Sequence, residues 1–254
     1  MALPRLIPVL LLKDRGLIKT TKFQHPVYIG DPVNAVKIFN EKEVDELIIL
    51  DVNATRQQYE PRYGYLREIV SECFSPLAYG GGVRTVDHIK RLIQSGVEKI
   101  VINTACCTDP LFLKRASADF GSSTIVAAMD VKKSLFGKYS VYASAGTKNM
   151  GIDPVAHAVN LQQLGAGEIF LNNIDLDGTM KGYDHALIKK IVKAVDIPVI
   201  VCGGAADHND LFQAINVSGA SAAAAGSIFV FQGKHRGVLI TYPEYTTIRA
   251  GLTS

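Results

Sequence analysis

The chain has 254 residues, 48% of them apolar, with a formal net charge of +3. That length and apolar content suffice for one sizeable core, and the mild charge, spread along the chain, gives no case for a nucleic-acid partner. No apolar run reaches the length of a membrane span, and the four cysteines (Cys73, Cys106, Cys107, Cys202) show no CxxC spacing, so reduced thiols in a cytoplasmic protein are expected, with no metal and no cofactor.

The opening stretch turns charged at Lys13 after about half a span, and reads as a first buried strand, Leu6–Leu12, rather than a signal peptide. A long segment, Lys13–Gly30, follows; Asp31-Pro32 then pairs an N-cap aspartate with a first-turn proline. Strands are expected at Leu47–Asp51 and Leu77–Tyr79, and Thr85 caps a helix whose apolar residues Ile89, Leu92 and Ile93 keep helical spacing. The alternation continues through Ile100–Asn103, the helix start Asp109-Pro110, Ile125–Asp130, a second long segment at Lys132–Gly151, Asp153-Pro154, Ile169–Asn173, the cap candidate Asp184, Val199–Cys202 and Ala222–Ala225. The first seven strands are apolar without alternation, as in a parallel sheet buried on both faces; the eighth, all alanine, is ambiguous alone. Eight strand–helix alternations with no linker predict an α/β protein, a single (β/α)₈ TIM barrel over residues 1–254. The two long segments fall at the barrel mouth and are lid candidates.

The halves resemble each other at an offset of about 122 residues, an internal half-barrel duplication. Pro76–Val83 matches Pro198–Ala205, Gly96–Thr104 matches Gly219–Ser227, Glu46–Leu50 matches Glu168–Asn172, and Leu10–Lys13 matches Met129–Lys132. Two half-barrels predict two related ligand sites. Gly81-Gly82 and Gly203-Gly204 each end a strand, and Asn103-Thr104 and Gly226-Ser227 end the next. Bare glycine backbone beside a helix start suits phosphate; one such pair alone is usually a tight turn, whereas two pairs with matched polar partners point to anion sites. Asp51 and Asp130 end the second and fifth strands, where a carboxylate is either a general acid or base or a helix cap. Asn172, Asp175 and Asp177 follow the sixth strand, and Lys19, in the first long segment, is placed to close over an anion or simply to be solvated. Arg5, Glu46, Lys99 and Glu168 stand immediately before strands one, two, four and six and would ring the opposite end, by themselves a stabilising ion-pair layer.

Taken together, the first strand through Lys19, Asp51–Thr55, Gly80–Val83, Lys99–Ala105, Met129–Lys132, Ile174–Thr179, Gly182–Asp184 and Cys202–Ala205 resemble the HisF-type cyclase subunit of imidazole glycerol phosphate synthase, over nearly the whole chain. The resemblance implies a barrel that is the acceptor half of a glutamine amidotransferase. A glutaminase subunit docks on its N-terminal face, and ammonia crosses to the mouth to attack a bis-phosphorylated ribulosyl intermediate. By that resemblance Arg5, Glu46, Lys99 and Glu168 form the ammonia gate, Gly82, Asn103 and Thr104 one phosphate site, Gly203, Gly204, Gly226 and Ser227 the other, and Asp130 is one of two catalytic aspartates. The other is replaced by Leu11, and Asn172 stands where the family usually has a small hydroxyl residue. An intact gate with an altered mouth is similar to the paralogues that work with an ATP-using amidotransferase to convert acetamido to acetamidino sugars for surface polysaccharide, with a phosphorylated or sugar-nucleotide substrate. The alternatives are a histidine-pathway cyclase that tolerates Leu11, and a non-catalytic ammonia conduit.

Overall fold

The computed structural model describes residues 4–253, so Met1–Leu3 and Ser254 of the expected domain lie outside the described residues. Eight strands form the barrel: β1 (Arg5–Lys13), β2 (Leu47–Asp51), β3 (Leu77–Gly80), β4 (Lys99–Ile102), β5 (Ile125–Lys133), β6 (Glu168–Asn173), β7 (Val199–Cys202) and β8 (Ala222–Ala225). Each pairs in parallel with the next, and β8 pairs with β1 in the register Arg5↔Ala222 to Pro8↔Ala225, which closes the circle. Helices between successive strands, including α1 (Pro32–Glu41), α2 (Tyr63–Val70) and α3 (Val86–Gln94), cover the outside. Among the described residues no helix is long and apolar enough to cross a membrane.

Strand alternation separates two apolar layers. Outward residues such as Leu6, Leu10, Leu12, Ile49 and Leu171 pack under the helices, while Ile7, Val9, Leu11, Ile48, Val101, Phe170 and Ile200 fill the barrel. The alanine strand β8 serves both, Ala223 and Ala225 outward and Ala222 and Ala224 inward. The expected caps form: Asp31, Thr85, Asp109, Asp153 and Asp184 each accept a first-turn N–H.

The two long segments are not irregular loops. β1 turns at Asp14, in the left-handed region, and returns antiparallel as Gly16–Thr21, which pairs in turn with Gln24–Gly30. β5 likewise returns as Tyr139–Ala143. Each half-barrel therefore begins with a strand that overshoots the barrel into a hairpin at the mouth.

The duplication is visible in the backbone. At Gly81 (φ +124°) a Cβ would stand 2.5 Å from the carbonyl oxygen of Asp51, the last residue of β2; at Gly203 (φ +88°) it would stand 2.5 Å from that of Asn173, the last residue of β6. Asp51 and Asn173 each use Oδ1 to accept the N–H two residues on, from Asn53 and Asp175. The strand ends thus nest against the glycine turns in the same way twice. Gly81→Ala and Gly203→Ala are each expected to destabilise the fold by at least about 2 kcal/mol, through the left-handed backbone and the clash together. Urea melts of both variants check this, and a variant as stable as the native chain would contradict the nesting.

Candidate active site

At the C-terminal end of the strands lies a cavity of about 440 Å³, bordered by residues of both halves, among them Leu11, Lys19, Asp51, Gly82, Asn103, Thr104, Asp130, Asn172, Asp177 and Gly226. Its walls differ. β1 and β5 are four strands apart in either direction round the closed barrel, so Leu11 and Asp130 face each other from opposite sides.

Asp130 sits deep on the β5 wall. Asn172, its register partner on β6, donates through Nδ2 to Oδ1 at 3.1 Å, and Asn103 donates to Oδ2 at 3.2 Å. Burial pushes its carboxyl up to about 7; the bond from Asn172 opposes the shift, the charge of Asp177 adds to it and Lys132 opposes it. A carboxyl titrating near neutrality, partly open to the cavity, can give or take a proton at working pH. Asp51 has a different task. Its Oδ1 accepts from Asn53 N, Ala54 N and the Tyr59 hydroxyl, which fixes the turn after β2, while its buried Oδ2 has no partner. Desolvation raises its pKa, and those three bonds oppose the rise.

The two corners expected to hold anions share a backbone but not a filling. Asn103 (φ −109°, ψ −76°) precedes the short helix Thr104–Thr108, and Gly226 (φ −109°, ψ −63°) precedes Ser227–Val230. The first N–H groups of any helix lack an intrahelical partner, which suits an anion. The Asn103 corner opens into the main cavity. The corner at Gly203, Gly204, Gly226 and Ser227 has only about 10 Å³ of room. Lys19 fills it: its stem runs over Gly226, where a Cβ would meet Lys19 Cε at 2.8 Å, and its ammonium pairs with Asp177 at 2.9 Å. Lys19 is thus neither solvated nor in a loop; it is a buried residue of the first hairpin. Asp177 also accepts from the Thr20 hydroxyl at 3.1 Å and its carbonyl from Lys22 N at 2.8 Å, so it pins that hairpin across the second half.

At the other end of the barrel, Arg5 bonds Glu46 at 2.5 Å and Glu168 at 3.0 Å, and Lys99 bonds both glutamates at 3.0 Å. The four charges alternate and sum to zero. Burial works against the Arg5 charge, but its two carboxylate partners outweigh that and its pKa is raised.

Besides Lys19, three cations border the cavity: Lys13 at the end of β1, and Arg56 and Arg84, which have no signal in the sequence pattern. Arg56 reaches the Ala145 carbonyl at 3.0 Å and Arg84 the Gln58 carbonyl at 2.9 Å. Cys202 also borders it, but burial pushes its thiol up to about 12, so it stays protonated. Among the described residues no group of three His, Cys, Asp or Glu side chains is placed to hold a metal ion.

Residues 5–236 match the model of the family described as histidine biosynthesis protein. The chain is 49% identical over 247 residues (97% of this chain, 98% of the relative) to a Pseudomonas aeruginosa protein provisionally named imidazole glycerol phosphate synthase subunit hisF2. It is 46% identical over 241 residues (94% and 93%) to a Vibrio vulnificus protein provisionally named subunit hisF3. To the imidazole glycerol phosphate synthase subunit HisF of Saccharolobus solfataricus it is 37% identical over 239 residues (94% and 93%).

The Asp130 environment has a consequence for stability. Its folded pKa lies above that of an unfolded aspartate, so the folded state holds more protons between about pH 4 and 7. Stability therefore falls as pH rises through that window and levels above it. Asp130→Asn should remove this slope and be more stable than the native chain at pH 8, with little difference at pH 4. Urea melts at the two pH values check it, and an equal slope in the variant would contradict the assignment.

Proposed function

The chain belongs to the histidine biosynthesis protein family as a HisF-type barrel, and from that premise we propose that it is the ammonia-receiving synthase subunit of a cytoplasmic glutamine amidotransferase complex, in the paralogous line that converts an acetamido to an acetamidino sugar for surface polysaccharide. The observation that carries the second half of this reading is Leu11 facing Asp130. A cyclisation with elimination needs one group to donate a proton while another accepts one, and an alkyl side chain can do neither. Identity is also greater to the relatives named hisF2 and hisF3, at 49% and 46%, than to the Saccharolobus HisF, at 37%.

In this reading a glutaminase docks on the N-terminal face and ammonia enters through the ring of Arg5, Glu46, Lys99 and Glu168. It moves past the inward residues Ile48, Val101 and Phe170 to the mouth, where Asp130 handles the proton traffic. The substrate's phosphate rests in the corner of Gly82, Asn103 and Thr104. An acetamido carbon that becomes an amidine loses its oxygen, a poor leaving group from an amide, so activation falls to an ATP-using amidotransferase partner.

Two measurements test the reading. Mixed with a glutaminase subunit from the same gene cluster, should the cluster hold one, or otherwise from the same organism, the protein should co-elute as a stable heterodimer on size-exclusion chromatography; separate elution would sink the docking claim. Supplied with ammonium salt and the bis-phosphorylated ribulosyl substrate, it should turn over at least roughly 10²-fold more slowly than a HisF that keeps both aspartates, since a positioned acid or base typically contributes 10²–10⁴-fold. Turnover within about tenfold of an ordinary enzyme's roughly 10 s⁻¹ would restore the histidine-pathway reading.

A further inference from the structure

The β1 wall of the cavity is apolar across three strands. Leu11 pairs in register with Ile18 on the first hairpin and with Leu50 on β2, and Val9 lies one inward position below. All four side chains border the cavity, with Val9, Leu11 and Ile18 buried and Leu50 partly so. Lys13, Thr20 and the free Oδ2 of Asp51 border the cavity beside this patch, but none of them interrupts it. The neighbouring Asp51 commits Oδ1 to the turn after β2, and Lys19 is turned away to Asp177. The facing wall carries the polar cluster, Asp130 between Asn103 and Asn172, above the apolar Val101, Ala128 and Phe170.

We propose that Val9, Leu11, Ile18 and Leu50 form a subsite for a small apolar substituent of the substrate, the methyl of an acyl group, and that Leu11 determines this specificity. Water against four alkyl side chains makes few bonds, and an apolar group that displaces it gains affinity. A carbonyl carbon held between the walls would turn its oxygen toward Asp130 and its alkyl side toward Leu11. The anionic part of the ligand then lies in the open Asn103 corner rather than in the corner that Lys19 fills. A second aspartate at position 11 would instead place a charge where the methyl has to go. The inference rests on the mouth being the substrate site, as proposed above.

The test is binding alone, by isothermal titration calorimetry of the full chain with N-acetylglucosamine 1-phosphate and N-formylglucosamine 1-phosphate, which differ by one methyl. The acetyl form is expected to bind about 10-fold tighter, the lower end of what one such group is worth in an apolar pocket. In Leu11→Asn, close in size but polar, the preference should shrink to under about 3-fold, and Ile18→Ala, which keeps the wall apolar but enlarges it, should reduce it in the same direction. Equal binding of the two ligands by the native chain, or a preference unchanged in both variants, overturns the subsite and leaves the mouth reading standing. Failure of both ligands to bind the native chain overturns the two together.

Discussion

A closed parallel barrel leaves its inward polar side chains few partners beyond one another and the strand-end backbone, and this constraint decides where charge can stand. Neither helices nor solvent reach the interior, and most of its length is filled by residues such as Ile7, Ile48, Val101 and Phe170. Ionisable groups survive only at the two ends. At the floor the solution is mutual neutralisation, Arg5 and Lys99 against Glu46 and Glu168. Such a ring yields little net stability, because desolvation offsets much of the attraction, but removing one member leaves its partners unpaired and is costly. At the mouth Asp130 has no cation within bonding distance and is held by two carboxamides instead. Burial therefore outweighs those bonds, and its pKa is pushed up to about 7.

The half-barrel duplication is kept in the backbone and broken in the side chains. Glu46 and Glu168 occupy equivalent floor positions, but the repeat places Ala222 opposite Lys99. Arg5, the register partner of Ala222 on β1, supplies the missing cation. At the mouth the two strand-end corners differ in the same way: Asn103 and Gly226 hold nearly the same dihedral angles, yet one corner is open and the other is closed by Lys19 on Asp177. The matched backbone sets where the two corners stand, and their side chains decide how much room each has.

The sequence made the strands legible because a doubly buried parallel strand is a continuous apolar run, and the helix starts legible because aspartate–proline pairs have few other uses. The repeat located the glycine turns and the two strand-end corners beside them without any coordinates. What stayed hidden depends on partners far apart in the chain. That Lys19 is buried follows from Asp177, 158 residues later, and the cavity-lining Arg56 and Arg84 bond to loop carbonyls that no local pattern marks. The hairpins after β1 and β5 show in the sequence only as long segments at the mouth, which makes them lid candidates. Their pairing is set by strands that continue past the barrel rim, which periodicity cannot separate from loop.

Leu11 and Asp130 occupy matched positions and pull in opposite energetic directions. Leu11, between Ile18 and Leu50, extends the interior apolar cluster and stabilises the mouth. Asp130 does the reverse: burial raises its pKa, so every pH above that pKa carries the cost of a desolvated carboxylate. An amide in its place would relieve that cost, and the neighbouring Asn103 and Asn172 show that amides fit this wall. Groups kept at a stability cost in a cavity, with a pKa brought near working pH, are the ones a fold retains for proton transfer. The two walls of the mouth therefore differ in what they cost: the apolar one adds to the packing of the interior, and the other carries a desolvated carboxyl whose stability cost the rest of the barrel offsets.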